Sequence, residues 1–491
     1  MQRLALSTLP TASTDVVTLP AVDPRNLSTG LVHLGIGAFH RAHQAVYTEL
    51  ASAATGDDRW GIFAVTGRSA NVVEQLAPQD GLYGVLTKSV ERSTLHVVGA
   101  VREVISGGAD QRSALAAIAS PDVRVVTLTI TEKGYPRTPD GGLALGTAAV
   151  TADVAAVRAA LAGTGVPGPT GSSVGLLATG LAARFSAAAD PISVVSCDNL
   201  PGNGTQLGRL VRELADAAGD DDFAGWLRQD VTFPSTMVDR IVPATTDQDR
   251  AEAAELLRLY DAGLVVAEPF GQWVIEDRFA ADRPAWEQAG ATLATEVAPY
   301  EKAKLRMLNG THSLLAYLGA LHGHRTIADA IADERLYDAA RGLQREDAIP
   351  TLEAPPGVDL EAYGEQVLAR FGNPYLRHTT VQVAMDGSQK LPIRLLDTAK
   401  DRLRAGATPH HCALAVAAWI VYVSRGRDTH GHELPLNDPL ASVLRDRAAG
   451  SEEGLVDRML GVREIFDDEI AGQDAFRDAV RDAAASLQRM R

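Results

Sequence analysis

The densest polar stretch of this 491-residue chain is Pro299-Tyr300-Glu301-Lys302-Ala303-Lys304-Leu305-Arg306-Met307-Leu308-Asn309-Gly310-Thr311-His312. On a helix turning about 100° per residue, Lys304 and His312 stand about 80° apart, and Asn309 is three residues from His312. The three share an arc of roughly 140° by that geometry, flanked by Leu305, Leu308, Leu314 and Leu315. Polar groups set between leucines need partners when buried. Gly310 costs about 1 kcal/mol relative to alanine in a helix interior, which points to close approach by another group. The same spacing also describes an amphipathic helix with Lys, Asn and His on its solvent face. If buried, the set suits proton abstraction from a hydroxyl: a lysine base and a neutral amide donor to the alkoxide. Only six of the 46 basic residues are lysines, at 88, 133, 302, 304, 390 and 400. Arginine stays protonated and cannot be the base. Lysine can, once burial or nearby positive charge lowers its pKa from about 10.4.

A second signal lies near the N-terminus, where the apolar run Leu31–Ile36 leads into Gly35-Ile36-Gly37-Ala38-Phe39-His40-Arg41. A strand meeting a G-x-G turn before a helix brings backbone N–H groups against a pyrophosphate. His40 stands where the usual third glycine would, and an ordinary tight turn reads the same way. The end of the second strand, Val65-Thr66-Gly67-Arg68-Ser69, carries no acid for a ribose. Arg68 and Ser69 would suit a 2′-phosphate, so the cofactor is read as NAD or NADP. Hydride transfer to a nicotinamide then supplies the oxidation that a lysine base and an asparagine donor would accompany.

These groups need elements to hold them. Leu31–Ile36, Trp60–Thr66, Val123–Ile130 and Ile192–Cys197 read as strands, with helical composition at Ala42–Ala53, Arg112–Ala119 and Asp153–Ala162. That alternation predicts a mainly parallel sheet covered by helices. Tyr83–Thr87 and Leu95–Val101 read as an antiparallel excursion, and Gly163–Ser173 as a loop. From about Tyr300 helices dominate, at Glu301–Leu318, Ile327–Arg345, Leu360–Phe371, His411–Val423, Val456–Ile465 and Gln473–Met490, with a loop at Ile349–Val358. The fold class is α/β: a Rossmann-type dinucleotide-binding domain over 1–290, then a mostly α-helical substrate and catalytic domain over 291–491.

Composition narrows the classes. A net charge of −16 argues against nucleic-acid or anionic-membrane partners. The longest apolar run, Cys412–Val423, falls short of the ~20 residues a membrane span needs. Two cysteines, Cys197 and Cys412, build neither a disulfide framework nor a Cys-rich zinc site. A cytoplasmic location follows, with no metal expected.

The glycine turn with its continuation to Gln44 resembles that of the polyol-specific long-chain dehydrogenases, the mannitol dehydrogenase and fructuronate reductase family. Thr127-Leu128-Thr129-Ile130-Thr131-Glu132-Lys133-Gly134-Tyr135, Ser196-Cys197-Asp198-Asn199, Thr236-Met237-Val238-Asp239-Arg240, Glu268-Pro269-Phe270 with Trp273-Val274-Ile275-Glu276-Asp277, and the K-x-x-x-x-N-x-x-H of Lys304, Asn309 and His312 are similar too. They occur in family order from residue 31 to about 396. The resemblance implies metal-independent oxidation of a secondary alcohol. It makes Lys304 the general base, Asn199 and Asn309 the alkoxide-stabilising pair, His312 and Asp239 holders of substrate hydroxyls, and Glu301 a proton relay. Gly35, Gly37, Phe39, His40, Arg41, Arg68, Ser69, Thr131 and Glu132 fall on the cofactor side. A monomer is the family expectation.

A hexonate carries a carboxylate where an alditol carries CH₂OH, so its site should present a cation. The run Asn373–Arg394 looks closest to the fructuronate reductase version, with Gln382 where mannitol-specific members tend to carry arginine. Arg377, Lys390 and Arg394 are therefore candidate carboxylate binders; structural ion pairing is the competing reading. D-fructuronate to D-mannonate is the leading expectation. Mannitol–fructose or another alditol such as arabinitol comes next, and a catalytically silent dinucleotide-binding regulator is the alternative of another class.

Overall fold

The apolar runs of the first half become the centre of a parallel sheet in the computed structural model, which describes all residues except 11, 68, 164–167, 490 and 491 and leaves the side chain of residue 133 undescribed. The strands are β1 (Thr29–Leu34), β2 (Gly61–Thr66), β3 (Val101–Ser106), β4 (Val125–Leu128), β5 (Ile192–Ser196) and β6 (Val231–Thr232). They lie in the order β3-β2-β1-β4-β5-β6, every neighbouring pair parallel. This is the order of a doubly wound dinucleotide-binding sheet, with its reversal between β1 and β4. Every residue of β2, β4 and β5 is buried, as strands covered on both faces require. Alternate side chains feed two cores: Val32, Leu34, Val126 and Leu128 enter one, Leu31, Ile62, Ala64 and Val125 the other.

The antiparallel excursion is present, Tyr83–Lys88 pairing with Ser93–Val98 inside a four-stranded sheet completed by Val17–Thr18 and Val265–Ala267. A third sheet, absent from the sequence reading, joins Thr236–Asp239, Gln272–Glu276 and Thr292–Ala294. Because Thr292–Ala294 pairs with Gln272–Glu276, residues 291–298 stay with the first compact unit, Met1–Ala298.

The second unit, Pro299–Arg491, is helical around one large core. His410–Arg425 runs through that core and packs along Asp474–Gln488. Two helices expected as continuous are interrupted. The first is Ala298–Ala303, a π-helical turn at Lys304–Asn309, then Gly310–Leu321. The second is Ile327–Ile331, Glu334–Gly342 and a π-helical turn at Leu343–Ala348. A further π-helical turn spans Pro392–Leu396. No helix of the described residues is long and apolar enough to cross a membrane.

Candidate functional site

In the first unit the site begins where β1 ends. Gly35 has φ +100°, and a Cβ there would lie 2.2 Å from the Thr129 carbonyl oxygen, so conformation and space both require glycine. Its N–H and that of Ile36 donate to the Val65 carbonyl at 2.8 and 3.2 Å, tying the turn to β2. Gly37 caps α1 (Ala38–Ala42), and a Cβ at Gly37 would meet nothing nearer than the Gly35 carbonyl at 3.8 Å. That leaves the backbone open to a pyrophosphate. His43, at φ −129° and ψ −90°, breaks the helix before α2 (Gln44–Thr55).

The side chains of the turn face inward. Arg41 donates to the carbonyls of Gly37 at 3.3 Å and Gly263 at 2.6 Å and lies over the Tyr83 ring, so its guanidinium fixes the turn from within. His40 lies flat on His33 with ring centres 3.3 Å apart. Phe39 stacks on His43, whose Nε2 hydrogen-bonds the Gln272 carbonyl at 2.9 Å.

A cavity of about 520 Å³ opens at the C-terminal ends of β2, β3 and β4, lined by Thr66, Gly67, Gly107, Gln111, Ile130 and Thr131 among others. Ligands of open α/β sheets bind at such strand ends. No acidic residue is among its described lining residues. Ser69 accepts a hydrogen bond from the Asn71 N–H at 3.2 Å. Arg68 lies outside the described residues.

Thr131 follows β4 with φ +62° and ψ +163°, a region nearly reserved for glycine that costs other residues about 1–3 kcal/mol. Glu132 begins the short helical turn after it and is exposed. Beside it, the buried Asp198 at the end of β5 accepts from the Thr131 N–H at 2.7 Å and the Tyr135 hydroxyl at 2.7 Å. Burial raises the Asp198 pKa, against the hydrogen bonds that favour its carboxylate. Asn199 follows and is exposed, whereas Asp239 is buried on the strand Thr236–Asp239.

In the second unit the polar triad sits on the junction of π and α turns. The Gly310 N–H donates to the Leu305 carbonyl, an i→i−5 bond. In a π turn residues five apart are neighbours, so Lys304 and Asn309 come closer on one face than α geometry allows. This corrects the uniform helix assumed from spacing. Lys304 and Asn309 are buried, the Asn309 Oδ1 with no hydrogen-bond partner among the described residues. Glu301 lies half-buried three residues before Lys304. The group approaching Gly310 is protein: a Cβ there would lie 2.9 Å from the Arg394 carbonyl oxygen.

His312, on α3 (Gly310–Leu321), stacks with Phe371, ring centres 4.9 Å apart, and with His378, 5.6 Å apart. Its pKa falls well below 6.5, first through burial, then through the charges of His378, Arg394, Lys390 and Arg370. The Nε2 is buried without a partner among the described residues. Arg394 donates to Ser313 Oγ at 3.2 Å. Lys390 donates to the carbonyls of Val383 at 3.3 Å and Met385 at 2.5 Å, which gives it a part in closing that turn. Arg377 is exposed at φ +50°, next to His378.

Other lysines are held by carboxylates: Lys88 by Asp249 at 2.7 Å and Glu252 at 2.8 Å, Lys400 by Asp467 at 2.7 Å, and Lys302 by Asp401 at 3.5 Å. No cluster of His, Cys, Asp and Glu among the described residues can hold a metal ion.

Comparison with known proteins decides the family. Residues 29–288 match the mannitol dehydrogenase Rossmann domain and 296–488 the mannitol dehydrogenase C-terminal domain. The chain belongs to the mannitol dehydrogenase family. It is 42% identical to the uncharacterized oxidoreductase YdfI of Escherichia coli (strain K12), over 96% of this chain and 95% of that protein. It is 40% identical to the D-mannonate oxidoreductase of the same organism, over 96% of each. A structure of Pseudomonas fluorescens mannitol 2-dehydrogenase in ternary complex with NAD and D-mannitol superposes with a TM-score of 0.84 at 32% identity, covering 99% of this chain and 97% of that one. This mannitol dehydrogenase family member is thus an oxidoreductase of CH–OH groups that uses a nicotinamide dinucleotide.

Three site residues escaped the sequence reading. Asp198 stood in a quoted motif without a role, and an acid closing a fully buried strand is a signal that could have found it. Arg370 and His378 come to His312 through tertiary packing alone.

Proposed function

We propose that the protein interconverts D-fructuronate and D-mannonate with NAD or NADP. The observation that carries this reading is the positive set at His312. Arg394, whose guanidinium donates to Ser313 Oγ at 3.2 Å, stands beside an imidazole whose Nε2 has no partner among the described residues, and its charge acts on that ring together with those of Lys390 and Arg370. A hydroxyl held by His312 would then lie in a field favouring a substrate carboxylate. The 40% identity to a D-mannonate oxidoreductase supports the same choice.

In this reading Lys304 takes the hydroxyl proton as the hydride leaves for the nicotinamide, and Glu301 relays it outward. Asn309 and Asn199 donate to the developing alkoxide, and Asp239 holds a further hydroxyl. Asn309 would donate to the alkoxide through its Nδ2, and its Oδ1, with no partner among the described residues, can accept from a substrate hydroxyl. Coenzyme use extends to NADP because the cavity's described lining offers no carboxylate to repel a 2′-phosphate. The enzyme acts as a cytoplasmic monomer.

The test is absorbance of the reduced nicotinamide with fructuronate, fructose, mannonate, mannitol and arabinitol, each against both coenzymes. Fructuronate should be reduced far faster than fructose; the reverse order would make the protein a mannitol 2-dehydrogenase. That second reading is favoured by Lys390, two of whose donors go to backbone carbonyls. Lys304→Ala should lower turnover about 10³-fold or more while leaving NADH binding intact. Near-normal turnover would remove lysine from the mechanism.

A further inference from the structure

The Rossmann unit contains a strained backbone position held by a buried acid. Thr131 keeps φ +62° and ψ +163° at the mouth of β4, on the wall of the strand-end cavity. A threonine does not hold such a conformation unless its surroundings over-determine it. Its N–H donates to Asp198 Oδ1 at 2.7 Å, and its carbonyl accepts from the Gly134 N–H at 2.9 Å. Asp198 is fixed in turn. The Tyr135 hydroxyl donates to its Oδ2 at 2.7 Å and lies 2.9 Å from Ser196 Oγ. The Asn203 side-chain amide donates to the Asp198 carbonyl at 2.8 Å, and so does the Leu200 N–H. The acid therefore joins the ends of β4 and β5, and Asn199 extends directly from it.

We infer that Asp198 is a positioning residue: its carboxylate clamps the Thr131 backbone in the conformation that shapes the cofactor edge of the site and sets the peptide that carries Asn199. The inference rests on the dehydrogenase reading above. Removing the acceptor lets Thr131 relax to an ordinary φ and closes or reshapes the cavity wall. Glycine at 131 adopts the present angles without a clamp, so it makes the acid dispensable for the cavity wall.

The test is a double-mutant cycle on NADH affinity, read by fluorescence, with unfolding midpoints recorded alongside. Asp198→Ala should weaken NADH binding about tenfold or more, as loss of a hydrogen bond to a charged acceptor predicts. In the Thr131→Gly background the same change should cost less than about threefold. Tyr135→Phe removes one of the acid's other donors, leaves the Thr131 acceptor in place, and should keep NADH affinity within about threefold of wild type. Amide exchange at Thr131 in the cofactor-free protein should accelerate in Asp198→Ala and not in Tyr135→Phe. Equal losses of affinity in both backgrounds, or equal losses in Asp198→Ala and Tyr135→Phe, overturn the clamp. Wild-type protein that binds neither NADH nor NADPH overturns the dehydrogenase reading and the clamp with it.

Discussion

His33 in the Rossmann unit and His312 in the helical unit are both imidazoles kept neutral, and they differ in what their nitrogens do. His33 Nδ1 lies 2.7 Å from Thr127 Oγ1 and Nε2 2.9 Å from Thr129 Oγ1, with His40 flat against its ring. Burial pushes its pKa down to about 3. His312 is lowered by burial and by the surrounding positive groups, yet its Nε2 finds no partner among the described residues. A depressed pKa is common to both, so it does not by itself mark a site. What separates the two rings is the unfilled hydrogen-bonding capacity of His312, which native structures seldom leave in a buried group.

The comparison breaks most sharply under alanine. His33→Ala removes a closed polar pair and a stacking partner from between strands, and should cost about 3 kcal/mol of stability. Turnover per folded molecule should stay near wild type. His312→Ala should lower kcat/KM about 100-fold while shifting unfolding by less than about 1 kcal/mol. Urea unfolding and steady-state kinetics on the two variants check this. A swap of the two phenotypes would reverse the assignment.

Acid sharpens it next. For an imidazole with a folded pKa below the unfolded value of 6.5, the unfolded state binds more protons below that pH. Its contribution to stability is whole above pH 6.5 and is lost as pH falls toward the folded value. Between pH 7 and pH 5, His33 alone should remove about 2 kcal/mol, and His40, lowered by burial in the same stack, acts in the same direction. Unfolding free energies measured across that range should fall, and His33→Gln should flatten the fall. A stability independent of pH from 7 to 5 would contradict neutral burial.

How much of this was legible differs between the two histidines as well. The strand holding His33 was readable because parallel strands buried on both faces give short apolar runs, and Gly35 closes the run at a turn. The His33–His40 stack was not, since it sets a strand side chain against one from the helix after the turn, a contact that no period encodes. In the helical unit the period placed Lys304, Asn309 and His312 on one arc of a uniform helix but left a solvent face as the competing reading. The π turn beneath it was not readable, because Lys-Leu-Arg-Met-Leu-Asn has the composition of any helix and an i→i+5 turn of six residues leaves no repeat to detect. Arg370 is the same case: the helix Leu360–Phe371 was evident, its nearness to His312 is tertiary.

A finer probe is Arg394, whose charge acts on His312 while its guanidinium bonds Ser313. Arg394→Leu should let the His312 pKa rise toward 6.5, and should raise KM for fructuronate about tenfold with little change for fructose. Kinetics with both ketoses check this. A loss equal for both substrates would make Arg394 a structural group like the residues around His33.

The smallest change tests whether the open ring depends on backbone packing. Gly310 faces the Arg394 carbonyl so closely that an added Cβ would lie 2.9 Å from it, with the next atoms at 3.7 and 3.8 Å. Gly310→Ala gains about 1 kcal/mol of helix propensity. Against that, a backbone oxygen in a packed turn must shift, which typically costs about 1–3 kcal/mol, so the variant should be destabilised by about 1 kcal/mol. The oxygen belongs to the residue whose side chain acts on His312, so the shift should appear in KM for fructuronate, about threefold to fivefold, with kcat nearly constant. A drop in kcat instead would place the disturbance on the Lys304–Asn309 turn that precedes it, and would show that the π turn, not the cation set, is what Gly310 protects.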